Sequence, residues 1–146
     1  MAILFGSGKK LITNDGIPYM WNSGDVTTTP NEVGIITASD GVGNDWFGNS
    51  VAVGSGRIVV GARYNHIGSN ADQGSAYIFD LDGNEVGIIT ASDGVADDLF
   101  GYPVAVGDGR IVAGSIYRDL NSNSNVGGIY IYSTPESDHI LDILDK

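Results

Sequence analysis

Residues 31–83 are followed, without a gap, by a second copy of themselves. Asn31 maps onto Asn84, Phe47-Gly48 onto Phe100-Gly101 and Tyr77 onto Tyr130, always 53 positions apart, and 30 of the 53 aligned pairs are identical. Identity held at a fixed spacing over that length marks a duplicated structural unit. The chain therefore divides into residues 1–30, a first repeat at 31–83, a second at 84–133 and a tail at 134–146.

Each repeat reads as β-structure. In the first, Glu32–Thr37, Ser50–Val53, Arg57–Ala62 and Ser75–Asp80 are rich in β-branched and aromatic residues; in the second, Glu85–Thr90, Pro103–Val106, Arg110–Gly114 and Gly128–Tyr132 follow suit. Gly54-Ser55-Gly56 and Gly107-Asp108-Gly109 leave room only for a hairpin, because so few residues cannot support a crossover and glycine tolerates positive φ. Longer polar loops, Tyr64–Gly74 and Tyr117–Gly127, join the third and fourth strands, and Asp80-Leu81-Asp82-Gly83 turns into the next unit. The expected fold class is all-β: a four-stranded antiparallel meander used twice.

The flanks differ from the repeats. Lys10–Thr13 and Ile17–Trp21 form a short hairpin around Asn14-Asp15-Gly16, with Pro18 confining the second strand to an edge. Residues 1–30 either cover an exposed sheet edge or form an arm that docks on another protein through Ile3, Leu4, Phe5, Tyr19 and Trp21. At the other end, Thr134 can cap a short helix with Pro135 at its first position, and Ile140, Leu141 and Leu144 make an apolar stripe. A helix that short is marginal alone and should dock on its own subunit or a neighbour.

Phe47-Gly48 before the strand Ser50–Val53 and the segment Ile58-Val59-Val60-Gly61-Ala62, together with Phe100-Gly101 before Val104-Ala105-Val106 and Ile111-Val112-Ala113-Gly114-Ser115, closely resemble the FG-GAP repeat. Those repeats are the propeller blades of integrin α chains and of many bacterial and phage surface proteins. The resemblance covers residues 31 to about 133 and implies propeller-type blades. It implies no calcium site, because the family's Asp-rich calcium loop would fall where this chain has Gly54-Ser55-Gly56 and Gly107-Asp108-Gly109. An aromatic at 47 or 100 suits a wedge between blades, and the glycine after it suits a sharp backbone turn.

Propellers close with about four to eight blades, and two cannot close. An open pair exposes apolar faces and bare strand edges. The chain begins with an outer strand, Glu32–Thr37, runs through one full blade and ends with three strands of a second. The fourth strand is expected from the Glu32–Thr37 segment of the next subunit, in a head-to-tail contact that makes a ring when the rotation closes. A homotrimer forming a six-bladed propeller is the first expectation and an eight-bladed tetramer the second. The rival is a monomer whose flanks cover the open faces.

The net charge of −11, with only seven Lys and Arg, excludes nucleic acid and disfavours an anionic membrane surface. No run of 18 apolar residues occurs, so no membrane insertion is expected, and no export signal is visible. Absence of Cys removes disulfides and thiolate metal sites. Asp40, Asp45, Asp93, Asp97 and Asp98 cluster in the loops leading to each Phe-Gly and are weak candidates for Ca²⁺; the favoured reading has them in Asx-turns with no cofactor bound. His66 and His139 are isolated, no nucleophile stands with a base and an orienter, and an enzyme is not expected.

Recognition is read where the repeats differ. Arg63, Tyr64 and His66 stand opposite Ile116, Tyr117 and Asp119, Arg118 stands opposite Asn65, and Trp46 stands opposite Leu99. Trp46, Arg63, Tyr64, His66, Tyr117 and Arg118 are the candidate ligand-binding residues, with Trp46 and Tyr64 suited to stacking on a sugar; drift on solvent loops is the competing explanation. The expected role is a structural or adhesive virion component of a bacterial virus, made in the host cytoplasm and seated among other virion or surface proteins. The alternative is a stand-alone glycan- or protein-binding module at a cell surface, and a third reading is a Ca²⁺-dependent adhesion module.

Overall fold

In the computed structural model the described residues are the backbone of strands at 3–5, 10–12 and 18–19 and all of residues 32–135. The chain forms two compact units, Met1–Val33 and Gly34–Lys146. In the first, strands β1 (Ile3–Phe5), β2 (Lys10–Ile12) and β3 (Pro18–Tyr19) make an antiparallel sheet in that order, with Pro18 on an edge strand. Ile3, Leu4 and Phe5 are paired strand residues of this sheet. Trp21 and the tail bearing Ile140, Leu141 and Leu144 lie outside the described residues, as does the expected C-terminal helix beyond Pro135; no helix occurs among the described ones.

The second unit holds two antiparallel sheets. One has four strands in the order β4 (Phe47–Gly54), β5 (Arg57–Ala62), β6 (Ser75–Phe79) and β7 (Glu85–Ile89). The other has three, ordered β10 (Gly128–Ser133), β9 (Arg110–Ser115) and β8 (Phe100–Gly107). The turns between β4 and β5 and between β8 and β9 put Ser55 and Gly56 at φ 48° and 70°, and Asp108 and Gly109 at 49° and 70°. Two successive positive-φ residues are what a twisted two-residue hairpin demands.

The expectation of two four-stranded blades is corrected in one respect. Glu32–Thr37 is not a strand: residues 32–38 join no ladder, and Val33 and Ile35 are exposed. The reason lies in the repeat. The counterpart of this segment, β7, pairs with β6 of the blade before it, Ala76 opposite Ile89 and Tyr77 opposite Ile88. Among the described residues no blade precedes the first one, so the same residues at 32–36 have no blade edge there to pair with.

The two sheets share a core. Val59, Ala76 and Ile78 of the first meet Phe100, Val104, Ile111 and Ala113 of the second, with Ala91 between. Phe100 is fully buried there, and it packs edge-to-face on Tyr130 and Tyr132 of its own blade with centroids 5.4 and 6.2 Å away. Gly101 follows at φ 95°, where a Cβ would stand 2.2 Å from the Ser75 carbonyl oxygen, so only glycine admits this approach. The opposite face of the first sheet carries Val60, Ala62, Tyr77 and Phe79, partly covered by Ile36, Ala38, Phe47 and Ile58.

Candidate functional site

Each blade is tied to the loop that leads into it by a tyrosine, buried in the first blade and half-buried in the second. In the first, the Tyr77 hydroxyl donates to Asp40 Oδ1 at 2.7 Å and accepts from Asn65 Nδ2 at 2.7 Å; the same amide donates to Ser75 Oγ. In the second, Tyr130 donates to Asp93 Oδ1 at 2.6 Å and accepts from Arg118 Nε at 2.8 Å. Asn65 and Arg118 occupy the same place in their repeats, as do Asp40 and Asp93. The guanidinium of Arg118 also pairs with Asp93 and, with the Tyr130 hydroxyl, holds that carboxyl below the usual range. Burial, then the nearby carboxylate, pushes Tyr130 up to about 12; burial first and Asp40 second raise Tyr77 further. Sequence reasoning missed both clusters, although the Asp and Tyr of each recur at the common spacing.

The candidate calcium carboxylates are engaged locally. Asp45 accepts from the Val42 amide at 2.8 Å and Asp98 from the Val95 amide at 2.9 Å, each from three residues earlier, where the expected Asx-turn would take the amide two residues on. Asp40 and Asp93 face the tyrosines, and Asp97 sits at φ 68° in the turn before Asp98. Among the described residues no three His, Asp or Glu side chains are grouped to hold a metal ion.

Of the recognition residues, the structure brings four together and leaves two apart. Trp46 and Tyr64 meet edge-to-face with centroids 4.9 Å apart. The Arg63 guanidinium lies over both rings and over Tyr102, 4.9 to 5.1 Å from the three centroids. It is an aromatic cage closed around the protein's own cation. Tyr102 was not singled out from the sequence. Trp46 and Tyr64, with His66, Asp45, Asp72 and the Val42–Asn44 turn, line a groove of about 400 Å³. Within it His66 Nδ1 lies 3.1 Å from the Tyr64 carbonyl oxygen and 3.5 Å from Asp72 Oδ1.

Tyr117 and Arg118 belong to the corresponding loop of the second blade. There Arg118 is committed to Asp93 and Tyr130, and Tyr117 stands exposed. The groove combines aromatic surface, an imidazole and two carboxylates, which suits an uncharged polyhydroxylated ligand that can both stack and hydrogen-bond. It offers no nucleophile set against a base.

The FG-GAP repeat family model matches residues 30–79 and again 84–132. No curated protein matches the chain.

Proposed function

The chain belongs to the FG-GAP repeat family, and from that premise we propose that it is a structural or adhesive component of a bacteriophage virion that binds a glycan through the groove at Trp46 and Tyr64. FG-GAP repeats suggest a propeller-like adhesive or binding module, and the family is generally non-enzymatic. The observation that carries the reading is the Trp46–Tyr64 pair, set rigidly by Arg63 beside His66 and Asp72. Preformed aromatic surface flanked by a few polar groups is the usual make-up of a small-ligand site. The virion role is supported by the blade type, shared with phage surface proteins, and by apolar blade faces that need covering.

Two experiments separate the parts of this proposal. Binding of the purified chain to a glycan array should be lost by at least about tenfold in Trp46→Ala, the scale of removing an aromatic anchor; a chain that binds no glycan removes the ligand. Retention of the chain on purified virus particles through high-salt washing supports the virion role, and its absence from particles ends it. A second reading is a free-standing binding module at a cell surface. Glycan binding without any particle association would select it.

A further inference from the structure

Residues 31–42 and 84–95 are the same twelve letters, NEVGIITASDGV. In the second repeat these residues supply β7, which completes the first sheet, and then lead into the next blade. In the first repeat they join no sheet, although Ile36 packs on the face of Val60, Tyr77 and Phe79, and among the described residues β10, the counterpart of β6, pairs with β9 alone. We propose that the occupant of that edge is the Glu32–Ile36 segment of a second copy of this chain, so that copies join head to tail through a joint that repeats the one inside each chain.

Three parts of the internal joint define what the external one would use. First is the strand: transposed by 53 residues, the β6–β7 register places the incoming Ile36 opposite Ile129, Ile35 opposite Tyr130 and Gly34 opposite Ile131. Glu85 also accepts from the Ser39 amide and hydroxyl at 3.2 and 2.8 Å, so the incoming Glu32 is set to accept from Ser92. Second is the wedge. Inside the chain the Phe100-Gly101 backbone lies against Gly61, Gly74 and Ser75, with the Phe100 amide donating to Gln73 O at 2.8 Å. The matching place on the second blade is an unfilled groove of about 430 Å³ lined by Gly114, Gly127, Gly128 and Ile129, the complement of Phe47-Gly48.

Third are the faces. Ala76 and Ile78 are buried by the second blade, but their counterparts Ile129 and Ile131 are 70% and 65% exposed. On the first blade Val51 and Val53 are 60% and 68% exposed, whereas Val104 is buried and Val106 packs on the core. Each bare face is thus the counterpart of a face that the internal joint covers, and the two are different surfaces of one molecule. Such a contact is heterologous and closes only as a ring. Three copies give six blades, within the range of closed propellers.

The joints are not identical. Val104 donates its amide to Ser50 Oγ at 3.0 Å, but Pro103 stands at the matching position and has no hydroxyl, so the incoming Val51 amide loses that partner. Gly109 donates to Ser55 Oγ at 3.1 Å, and Asp108 can accept in its place. Such a ring would also reach the Trp46 end of the groove. Val95 and Tyr117, counterparts of Val42 and Tyr64, remain exposed although a blade already stands beside them, but Leu99, the counterpart of Trp46, is buried there, and the Asp97 and Leu99 amides donate to Ala71 O and Asp72 O of that blade. Glycan binding is therefore compared between the assembled chain and its monomeric variants.

The test is the mass of the full chain by light scattering across a concentration series. A mass of three times 15.2 kDa is expected, falling to one times in Ile129→Glu and Ile131→Glu with an unchanged circular dichroism spectrum. Both side chains are exposed in the single chain, so the substitutions leave its fold intact. In a Gly34→Cys, Ile131→Cys double variant, oxidation should link copies covalently, because directly opposed strand residues stand about 4.5–5.5 Å apart at Cα. Neither single variant should form covalently linked rings. A chain that stays monomeric at every concentration overturns the proposal and assigns the faces to the chain's own flanks. Assembly that survives both glutamates without cross-linking overturns it too.

Discussion

The Tyr77 hydroxyl donates to Asp40 across 37 positions of sequence and thereby fixes the loop that leads into the first blade. It also satisfies the buried Asn65 amide, so its removal leaves a buried donor and a carboxylate short of partners. Tyr77→Phe should cost about 1.5–3 kcal/mol, the range for hydrogen bonds to charged groups. Urea denaturation of the two proteins measures it, and a loss near zero would mean that water replaces the hydroxyl.

The second cluster predicts stability losses at both ends of the pH scale. Asp93 is held below its ordinary value by Arg118 and Tyr130, so near pH 4 the unfolded chain binds more protons than the folded one. The Asp93 contribution is present above about pH 4 and is lost as pH falls through its lower folded value. Tyr130 runs the other way: its pKa of about 12 exceeds the unfolded value near 10, so its contribution is complete below about pH 10 and is lost between there and about 12. Melting temperatures of wild type and Tyr130→Phe should converge as pH rises through that interval.

Phe100 is the strongest single point of attachment between the blades. It is fully buried between the two sheets, and Phe100→Ala should destabilise by about 3–5 kcal/mol. Gly101→Ala strains a φ of 95° and drives a methyl onto the Ser75 carbonyl, which should cost at least about 1–3 kcal/mol although it removes no contact. Thermal melts followed by near-ultraviolet circular dichroism resolve both.

Calcium removal should leave the fold unchanged. Asp45 and Asp98 accept backbone amides, and Asp40 and Asp93 accept tyrosine hydroxyls. A chelator is expected to shift the melting temperature by less than the error of the scan; a clear drop would place an ion among these loops.

Arg63 should be replaceable without loss of the core yet not without loss of the groove. Its guanidinium is held by three ring faces, and its Nε is buried without a hydrogen-bond partner. Arg63→Met keeps most of the apolar packing and removes the cation, so intrinsic tryptophan fluorescence should change while the urea midpoint moves by roughly 1 kcal/mol or less.

The strands between glycine turns were legible because turn chemistry and β-branched runs are local. Val51-Ala52-Val53, Gly54-Ser55-Gly56 and Arg57–Ala62 carry their hairpin in their own letters. The extension of β4 back to Phe47 was not legible, because it crosses an irregularity where Gly48 adopts φ 90°. Glu32–Thr37 has the letters of a strand and lacks a neighbour to pair with; pairing is a property of the assembly of blades and not of the segment. Trp46 could be picked out because the repeats differ there, and Tyr64 because it sits in the divergent loop around it; both line the groove. Their link through Arg63 reaches Tyr102 of β8 in the second repeat, and no local pattern carries that contact.

The duplicated unit places the same residues in two different mechanical settings. Every residue of β6 is buried and the strand is bonded on both sides, by β5 and β7. Among the described residues its counterpart β10 is bonded on one side only, by β9. Amides of β10 that face away from β9 are free to exchange with solvent deuterium in a single chain, while the corresponding amides of β6 wait for the sheet to open. An amide of β6 that faces β7 and its counterpart in β10 therefore act as two clocks cut from one template, and the difference in their rates measures, in time, what a neighbouring strand contributes to an otherwise equivalent position.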